Sequence, residues 1–235
     1  MTTDFTDTLL GARRPLIMEI KRHDGHGAEL LGGRTVAEHV AAFDATAACV
    51  SVVTGRWFGG DEELLREVRR LTGLPLLQKD FITRREQLRT AHRLGVSAVL
   101  LTAGLLPRGT LGNLVDACHT IGLTPFVEVT SEPELAAIPE PASCVIAVNN
   151  KDIRNRERDA GDVGRSLRML PELVRTGTPC PVSASGIERP EVAAGLLDAG
   201  FRGLLIGSSL LRADRLTGWL ADLDAARAGR VSGPV

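Results

Sequence analysis

The chain alternates between short, continuously apolar runs and longer stretches in which apolar residues recur every three or four positions. Short apolar runs of this kind are typical of strands that are buried on both faces of a parallel sheet. The pattern therefore predicts eight strands. They cover residues 16–21, 49–54, 75–81, 98–103, 124–130, 144–150, 180–185 and 203–209.

The stretches between the runs have the period and the end signals of amphipathic helices. Residues 35–45 place their apolar side chains on one face. Residues 61–73 begin with acidic residues and end with basic residues and glycine, the order that helix ends favour. Residues 85–95 and 189–200 also end at glycine, which caps helices in the left-handed conformation.

Eight strand–helix units in succession predict an α/β protein with a (β/α)8 TIM barrel. A doubly wound open sheet is the alternative. It typically has fewer strands and often a glycine-rich fingerprint after the first, which does not follow residues 16–21 here. We predict a short N-terminal extension over residues 1–15, a single barrel domain over residues 16–225 and a flexible C-terminal tail over residues 226–235.

Composition leaves this picture unchanged but restricts the function. The 235 residues suit one large domain, and a formal net charge of −1 gives no basic excess for nucleic acid. No apolar stretch approaches the length of a membrane span, and residues 1–15 lack the apolar core of a signal peptide. The four cysteines form no CxxC pair, which favours a reducing, cytoplasmic setting. We expect no nucleic-acid or membrane partner, and a monomer or homodimer.

Polar residues stand at the carboxyl ends of most predicted strands. In TIM barrels these ends form the mouth, where active sites lie. A solvated turn explains one such residue but not a ring of them. The ring consists of Glu19, Lys21, Thr54, Lys79, Asp80, Glu128, Asn149, Asn150, Ser183, Ser185, Ser208 and Ser209.

The charged members of this ring suggest acid–base chemistry. Glu19 and Lys21 are two positions apart, so strand alternation points them to the same side, as a structural ion pair or as functional groups. Lys79 points inward if Leu77 does, and a desolvated lysine with a lowered pKa can act as a general acid. Glu128 has apolar neighbours, which raise a carboxyl pKa and suit proton exchange near neutrality. The alternative for Glu128 is an ion pair with Lys79 or Lys21, and the two interpretations are not exclusive.

The last two predicted strands both end in glycine and serine, at residues 183–187 and 205–210. In TIM barrels the loops after strands 7 and 8 often bind phosphate through backbone N–H groups. Gly186 and Gly207 would let the backbone approach such an anion closely. The sequence therefore predicts a phosphorylated small-molecule ligand.

Taken in order, the motifs resemble those of the indole-3-glycerol-phosphate synthase family. They are EIKR, VSVVT…FGG, LLQKDFI, FVEV, VNNKDI, SASGI and LIGSSLLR, and the resemblance covers about residues 16–212. It implies a TIM-barrel enzyme that closes the ring of 1-(2-carboxyphenylamino)-1-deoxyribulose 5-phosphate with loss of carbon dioxide and water. It also implies that neither a metal nor a cofactor is needed.

The resemblance further implies residue roles. Lys79 corresponds to the general acid and Glu128 to the general base. Lys21 corresponds to the lysine that orients the substrate carboxylate, and Glu19 to its acidic neighbour. The other matched residues are Asn149 and Ser185 for catalysis, Gly186, Gly207 and Ser208 for the phosphate, and Phe58, Phe81 and Lys151 for the substrate ring and carboxylate.

Several departures from the family motifs concern the ring and carboxylate end. Ala184 and Gly55 each stand where the family has a glutamate, and Lys151 stands where it has an arginine. Residues 23–27, HDGHG, replace a Ser-Pro-Ser loop, and we interpret them as a solvated loop. The N-terminal extension is shorter than the family's helical extension, which covers the mouth.

These departures leave three hypotheses open. The first is a ring-closing carboxy-lyase that acts on the family's substrate or on a ring-modified analogue, in tryptophan biosynthesis or a specialised pathway. The second is a different cyclisation or isomerisation of a related phosphorylated amino-sugar adduct. The third is a non-catalytic phosphate-binding barrel, which Ala184 and Gly55 favour and the retained Lys79 and Glu128 disfavour.

Overall fold

The computed structural model describes residues 4–155, 157–213 and 215–231. Eight parallel strands close into a barrel in chain order, and the last strand pairs with the first. The predicted TIM barrel is confirmed, and the open sheet is excluded. The strands are β1 (Leu16–Ile20), β2 (Cys49–Val53), β3 (Leu76–Lys79), β4 (Ala98–Thr102), β5 (Thr124–Val129), β6 (Val145–Asn149), β7 (Cys180–Ala184) and β8 (Gly203–Ile206).

The helices that cover residues 36–44 and 62–71 begin with polar side-chain caps. Thr35 accepts a hydrogen bond from the N–H of Glu38, whose side chain accepts from the N–H of Thr35 in return. Asp61 likewise accepts from the N–H of Leu64. The helices are α1 (Asp4–Gly11), α2 (Val36–Asp44), α3 (Glu62–Leu71), α4 (Arg85–Arg93), α5 (Arg108–Ile121), α6 (Glu132–Ala136), α7 (Val163–Arg175), α8 (Pro190–Ala199), α9 (Ser208–Leu211) and α10 (Leu216–Val231).

Alternate strand residues fill the inside of the barrel. Ile17, Leu77 and Phe126 belong to one buried apolar cluster. Because side chains alternate with a period of two, the inward positions two residues later on the same strands are Glu19, Lys79 and Glu128. The alternation that packs the lower barrel with apolar side chains therefore also brings charged ones to its mouth.

Helix α1 closes the end of the barrel that lies opposite the mouth. Its residues Phe5 and Leu9 are fully buried, and the Phe5 ring meets Phe126 edge-on with the ring centroids 6.2 Å apart. A Cβ atom on Gly203, the first residue of β8, would lie 2.9 Å from Leu9. The N-terminal extension is thus a plug at the amino ends of the strands, and its helix α1 does not cover the mouth.

Helix α10 extends into the part of the chain for which a C-terminal tail was predicted. Helix α10 packs against α8 and continues to Val231, whereas a tail was predicted from residue 226. Residues 232–235 of that tail lie outside the described residues. Within the described chain, no helix combines the length and the apolar character that crossing a membrane requires.

Replacing Phe5 by alanine is expected to lower the free energy of unfolding by about 3–5 kcal/mol, because it empties a fully buried aromatic site. Urea unfolding measures the loss. Thr8→Ala, on the same helix but only half-buried, should change stability by no more than about 0.5 kcal/mol. An equal loss in both variants would contradict the plug.

Candidate active site

All three lysines of the chain lie at the mouth, although arginine supplies every other strongly basic side chain. Lys21 directly follows β1, Lys79 is the last residue of β3, and Lys151 lies shortly after β6. Lys21 and Lys79 are buried. A lysine ammonium is a compact charge whose pKa responds to its surroundings, unlike a guanidinium. Lysine is rare in this chain, and its restriction to positions at or just after the ends of strands indicates the site independently of the strand pattern.

Two lysines and two glutamates form a closed buried network, the charge quartet of Glu19, Lys21, Lys79 and Glu157. Lys79 Nζ lies 3.2 Å from Glu157 Oε1 and 3.4 Å from Glu19 Oε2. Lys21 Nζ lies 3.4 Å from Glu19 Oε1 and 3.5 Å from Glu157 Oε2. Each ammonium contacts both carboxylates, so the four charges balance. The predicted common direction of Glu19 and Lys21 is confirmed.

Glu157 is the member of the quartet that the sequence analysis missed. It lies in the loop after β6, outside any strand, so no period points it inward. Its backbone adopts the left-handed conformation with φ 57°, and its side chain is 5 % exposed. The only sequence signal is a charged segment, residues 154–159, close behind a strand end at the mouth.

The quartet reverses the predicted pKa shift of Lys79. Burial opposes the charge of Lys79, but the carboxylates of Glu157 and Glu19, with Glu128 nearby, outweigh it and raise the pKa of this lysine. The predicted lowering is wrong because it counted desolvation without the surrounding acids. Burial also opposes the charge of Glu157, yet the ammonium groups of Lys79 and Lys21 lower its pKa to about 2.

The pKa of Glu128 is shifted in the predicted direction. Burial raises the pKa of its carboxyl group, and the opposing effect of Lys79 does not cancel this. Neither Glu128 Oε2 nor Nδ2 of Asn149 has a hydrogen-bond partner in the described part of the protein. The Asn149 side chain is nevertheless close enough to lower the pKa of Glu128, so this buried acceptor and this buried donor are neighbours at the mouth.

Two cavities at the mouth share Lys21 in their lining. The larger has a volume of about 550 Å³, and its lining includes the predicted phosphate residues Gly186, Gly207 and Ser208, together with Ser185, Lys151, Glu19 and Glu157. The smaller, of about 20 Å³, is narrow and mostly apolar. Its lining includes Lys79, Glu128, Phe58, Phe81, Leu100 and Ile153.

This division groups the predicted site residues by chemistry. The acid and base candidates Lys79 and Glu128 lie with the aromatic residues Phe58 and Phe81, and Lys21 Nζ is 5.1 Å from the centre of the Phe58 ring. Lys151 is not among the residues that line this apolar cavity. It lines the larger one and donates a hydrogen bond to the carbonyl of Glu157 at 3.3 Å.

Two of the glycines that line the larger cavity lie where the backbone is close to a side chain or turns sharply. A Cβ atom on Gly207 would lie 2.7 Å from Glu19 Oε1, so only glycine fits there. Ser185 and Gly186 have φ values of 65° and 69°, two left-handed residues in succession that turn the chain sharply after β7. The hydroxyl of Ser209 donates to the carbonyl of Ile187 at 2.8 Å and ties the loops after β7 and β8 together.

Three residues of the loop 23–27 line the larger cavity, namely Asp24, Gly25 and His26. Asp24 accepts a hydrogen bond from Arg212 at 2.6 Å, and Arg158 donates to the carbonyl of Gly25 at 2.9 Å. Nε2 of His26 lies 3.2 Å from the carbonyl oxygen of Arg158. The interpretation as a solvated loop is wrong for Asp24, which lines the cavity and joins the β1 loop to the residue that follows α9.

Comparison with known proteins identifies sequence relatives. The profile of the family described as indole-3-glycerol phosphate synthase matches residues 1–223. The indole-3-glycerol phosphate synthase of Pyrococcus furiosus is 35% identical over 207 residues, which are 86% of this chain and 88% of that protein. The enzyme of the same name from Methanothermobacter marburgensis is 34% identical over 210 residues, 89% of this chain and 73% of that protein.

Solved structures support the fold alone, because their sequence identities are low. A chain from the tryptophan synthase complex of Pyrococcus furiosus superimposes with a TM-score of 0.64 at 14% identity, covering 89% of this chain and 97% of that chain. A structure described as native KDPGal gives 0.63 at 16% identity, covering 94% and 98%.

Glu128→Gln is expected to stabilise the protein at pH 8. The raised pKa of Glu128 means that its protonated form is favoured in the folded state, so that its contribution is present below pH 4.5 and is lost as the pH rises. Glutamine imitates the protonated form. Urea unfolding should therefore give a higher free energy of unfolding for the variant at pH 8 and no difference below pH 4.5.

Glu132→Gln, at an exposed position of α6, is the control and should change stability by no more than about 0.5 kcal/mol at either pH. A Glu128→Gln variant less stable than the wild type at pH 8 would show that the ionised carboxylate is the favoured form.

Proposed function

Because the chain belongs to the indole-3-glycerol phosphate synthase family, we propose that it is a ring-closing carboxy-lyase with 1-(2-carboxyphenylamino)-1-deoxyribulose 5-phosphate or a ring-modified analogue as its substrate. The observation that carries the proposal is that Lys79 and Glu128 line one narrow apolar cavity, beside a larger cavity that contains the three residues predicted to bind phosphate. Lys21 lines both cavities, so its ammonium group can contact a carboxylate on the ring of a substrate whose phosphate lies in the larger cavity.

The residues suit the proton transfers of this reaction. When the ring carbon that bears the carboxylate attacks the sugar carbonyl, negative charge develops on the carbonyl oxygen, and the Lys79 ammonium neutralises it by donating a proton. Loss of carbon dioxide returns an electron pair to the ring. The new hydroxyl then leaves as water, which takes a second proton from Lys79 after water has reprotonated this lysine. A proton must also leave the substrate carbon beside the nitrogen, and we assign its removal to Glu128.

The pKa shifts agree with these roles. Lys79 has a raised pKa and is therefore an ammonium at neutral pH, the form that a general acid needs. The raised pKa of Glu128 makes its carboxylate a better proton acceptor than an exposed one. Asn149, whose Nδ2 lacks a partner among the described residues, is suited to hold a substrate hydroxyl.

The larger cavity suits the phosphate end. Gly186 and Gly207 expose backbone after β7 and β8, and Ser208 begins the short helix that follows. Arg212 also lines this cavity and is already paired with Asp24. A phosphate that approaches would therefore compete with Asp24 for the Arg212 guanidinium.

A ring-modified analogue is supported by one observation at the other end. Gly55 lines the apolar cavity, and a Cβ atom there would meet only ordinary contacts, with Asp80 at 3.7 Å and Phe58 at 4.0 Å. Replacement of the family's glutamate by Gly55 thus leaves space beside Phe58.

We propose a cytoplasmic location, which the free state of all four buried cysteines supports. Monomer or homodimer remains a prediction.

Incubation of the purified protein with 1-(2-carboxyphenylamino)-1-deoxyribulose 5-phosphate and with ring-substituted analogues tests the function. The expected result is a product with indole fluorescence whose mass is lower by one carbon dioxide and one water. A product that retains either would favour the alternative cyclisation or isomerisation. Binding without turnover of any of these compounds would favour a non-catalytic barrel.

Lys79→Gln is expected to lower kcat by about 10²–10⁴-fold, since it removes the proposed general acid and keeps a hydrogen-bond donor between Glu19 and Glu157. Circular dichroism should show an intact fold. Arg89→Gln, on the exposed face of α4, is the control and should keep the wild-type kcat. Full activity of folded Lys79→Gln would remove Lys79 from the mechanism.

A further inference from the structure

We propose that Glu157 is a positioning residue which supplies, from the loop after β6, the carboxylate that Ala184 removes from β7, and so holds Lys79 and Lys21 in place for ring closure. This inference rests on the proposed function. It assigns a role to a side chain outside every motif that relates the chain to its family.

The contacts of Glu157 support this role directly. One carboxylate oxygen lies 3.2 Å from Lys79 Nζ and the other lies 3.5 Å from Lys21 Nζ. Glu157 therefore contacts both lysines that face the reacting part of the proposed substrate. With Glu19 as the only other acid in the quartet, removal of Glu157 leaves two buried ammonium groups and one carboxylate.

The backbone conformation of Glu157 indicates that its side chain has a role, because this conformation disfavours glutamate. A φ of 57° lies in the left-handed region, which glycine adopts freely and a residue with a Cβ atom adopts at a cost. If the loop needed only this turn, glycine would serve better. A glutamate whose carboxylate reaches two buried lysines accounts for the strained backbone.

The loop is also fixed on both sides of Glu157. The N–H of Glu157 donates to the carbonyl of Asp152 at 3.0 Å, and Lys151 donates to the carbonyl of Glu157 at 3.3 Å. Arg158 donates to the carbonyl of Gly25 in the β1 loop at 2.9 Å. These bonds aim the carboxylate before substrate arrives, which a positioning role requires.

Ala184 marks the place from which a carboxylate is missing. It is fully buried and belongs to the inner apolar cluster together with Val182, so its side chain faces into the barrel. The N–H of Asn150 donates to its carbonyl at 2.9 Å, so the end of β7 lies directly beside the start of the loop that contains Glu157. A glutamate at 184 and one at 157 would enter the mouth from adjacent elements.

An exchange of the two positions tests the proposal. Glu157→Gln is expected to lower kcat at least tenfold, with a smaller change in KM, because the lysines lose their orientation while the cavities remain. Adding Ala184→Glu to this variant should recover most of the lost kcat. Glu157→Asp, which keeps the charge on a shorter side chain, should fall between Glu157→Gln and the wild type.

The three lysines give a readout that is independent of turnover. In protein labelled with ¹³C at lysine, at most three lysine signals are expected, and each can be titrated by NMR. The titration midpoint of Lys79 should fall in Glu157→Gln, since a carboxylate that raises its pKa is gone. It should return towards the wild-type value in the double variant. The basic limb of the kcat–pH profile should move in the same direction.

Glu140→Gln is the matched control. Glu140 is also a glutamate in the left-handed conformation, with φ 49°, but it is exposed and precedes β6 at the end opposite the mouth. It should keep the wild-type kcat and the wild-type lysine titration. The thermal unfolding midpoint of every variant shows whether a lower kcat results from unfolding or from misplaced lysine side chains.

Three results would overturn the proposal: a folded Glu157→Gln variant with wild-type or higher kcat, an unshifted Lys79 titration, or a folded double variant without recovery. A higher kcat would mean that Glu157 instead blocks Lys21 and Lys79 from the substrate, and an unchanged kcat would mean that it does not position them for turnover. If the double variant does not fold, equal losses in Glu157→Asp and Glu157→Gln would decide against a charge-dependent role. An inactive wild type would contradict the proposed function, while the lysine titration would still test the position of Glu157.

Discussion

The arrangement of this mouth depends on the balance of charge in the quartet of Glu19, Lys21, Lys79 and Glu157. Two ammonium groups are buried above an apolar barrel, where an isolated charge would be strongly unfavourable. Each ammonium contacts both carboxylates, so no member carries an uncompensated charge. The network keeps Lys79 protonated and near Glu128, and it fixes Lys21 between the two cavities. The proposed chemistry therefore depends on the same interaction that makes the buried lysines tolerable.

The residues that stabilise the barrel through α1 and the residues of the candidate site lie at opposite ends of the barrel. At the amino ends, α1 buries Phe5 and Leu9 against the inner cluster. At the carboxyl ends, buried polar atoms such as Glu128 Oε2 and Asn149 Nδ2 are left without partners among the described residues. The plug stabilises the barrel without contributing to the mouth. Such a separation allows loops at the mouth to differ from the family pattern while the barrel stays the same.

Much of the site follows from strand periodicity. Once the eight strands are recognised, a period of two directs Glu19, Lys21, Lys79 and Glu128 into the mouth, as the structure has them. The pKa of Lys79 could not be derived in this way. Its raised value depends on Glu157, a residue in an irregular loop, where no period relates sequence position to direction. The same limit applies to Asp24, whose partner Arg212 is distant in sequence.

The sequence by itself determined the barrel, because the strands follow from local period and order. From the same period and order it predicted the end at which the site lies and the candidate acid, base and phosphate residues. Only the tertiary structure decided that α1 plugs the opposite end, that two cavities share Lys21, and that Glu157 completes the quartet. These features arise from contacts between segments far apart in the chain, and their energies depend on burial and on neighbouring charge. Neither quantity exists until the barrel has closed.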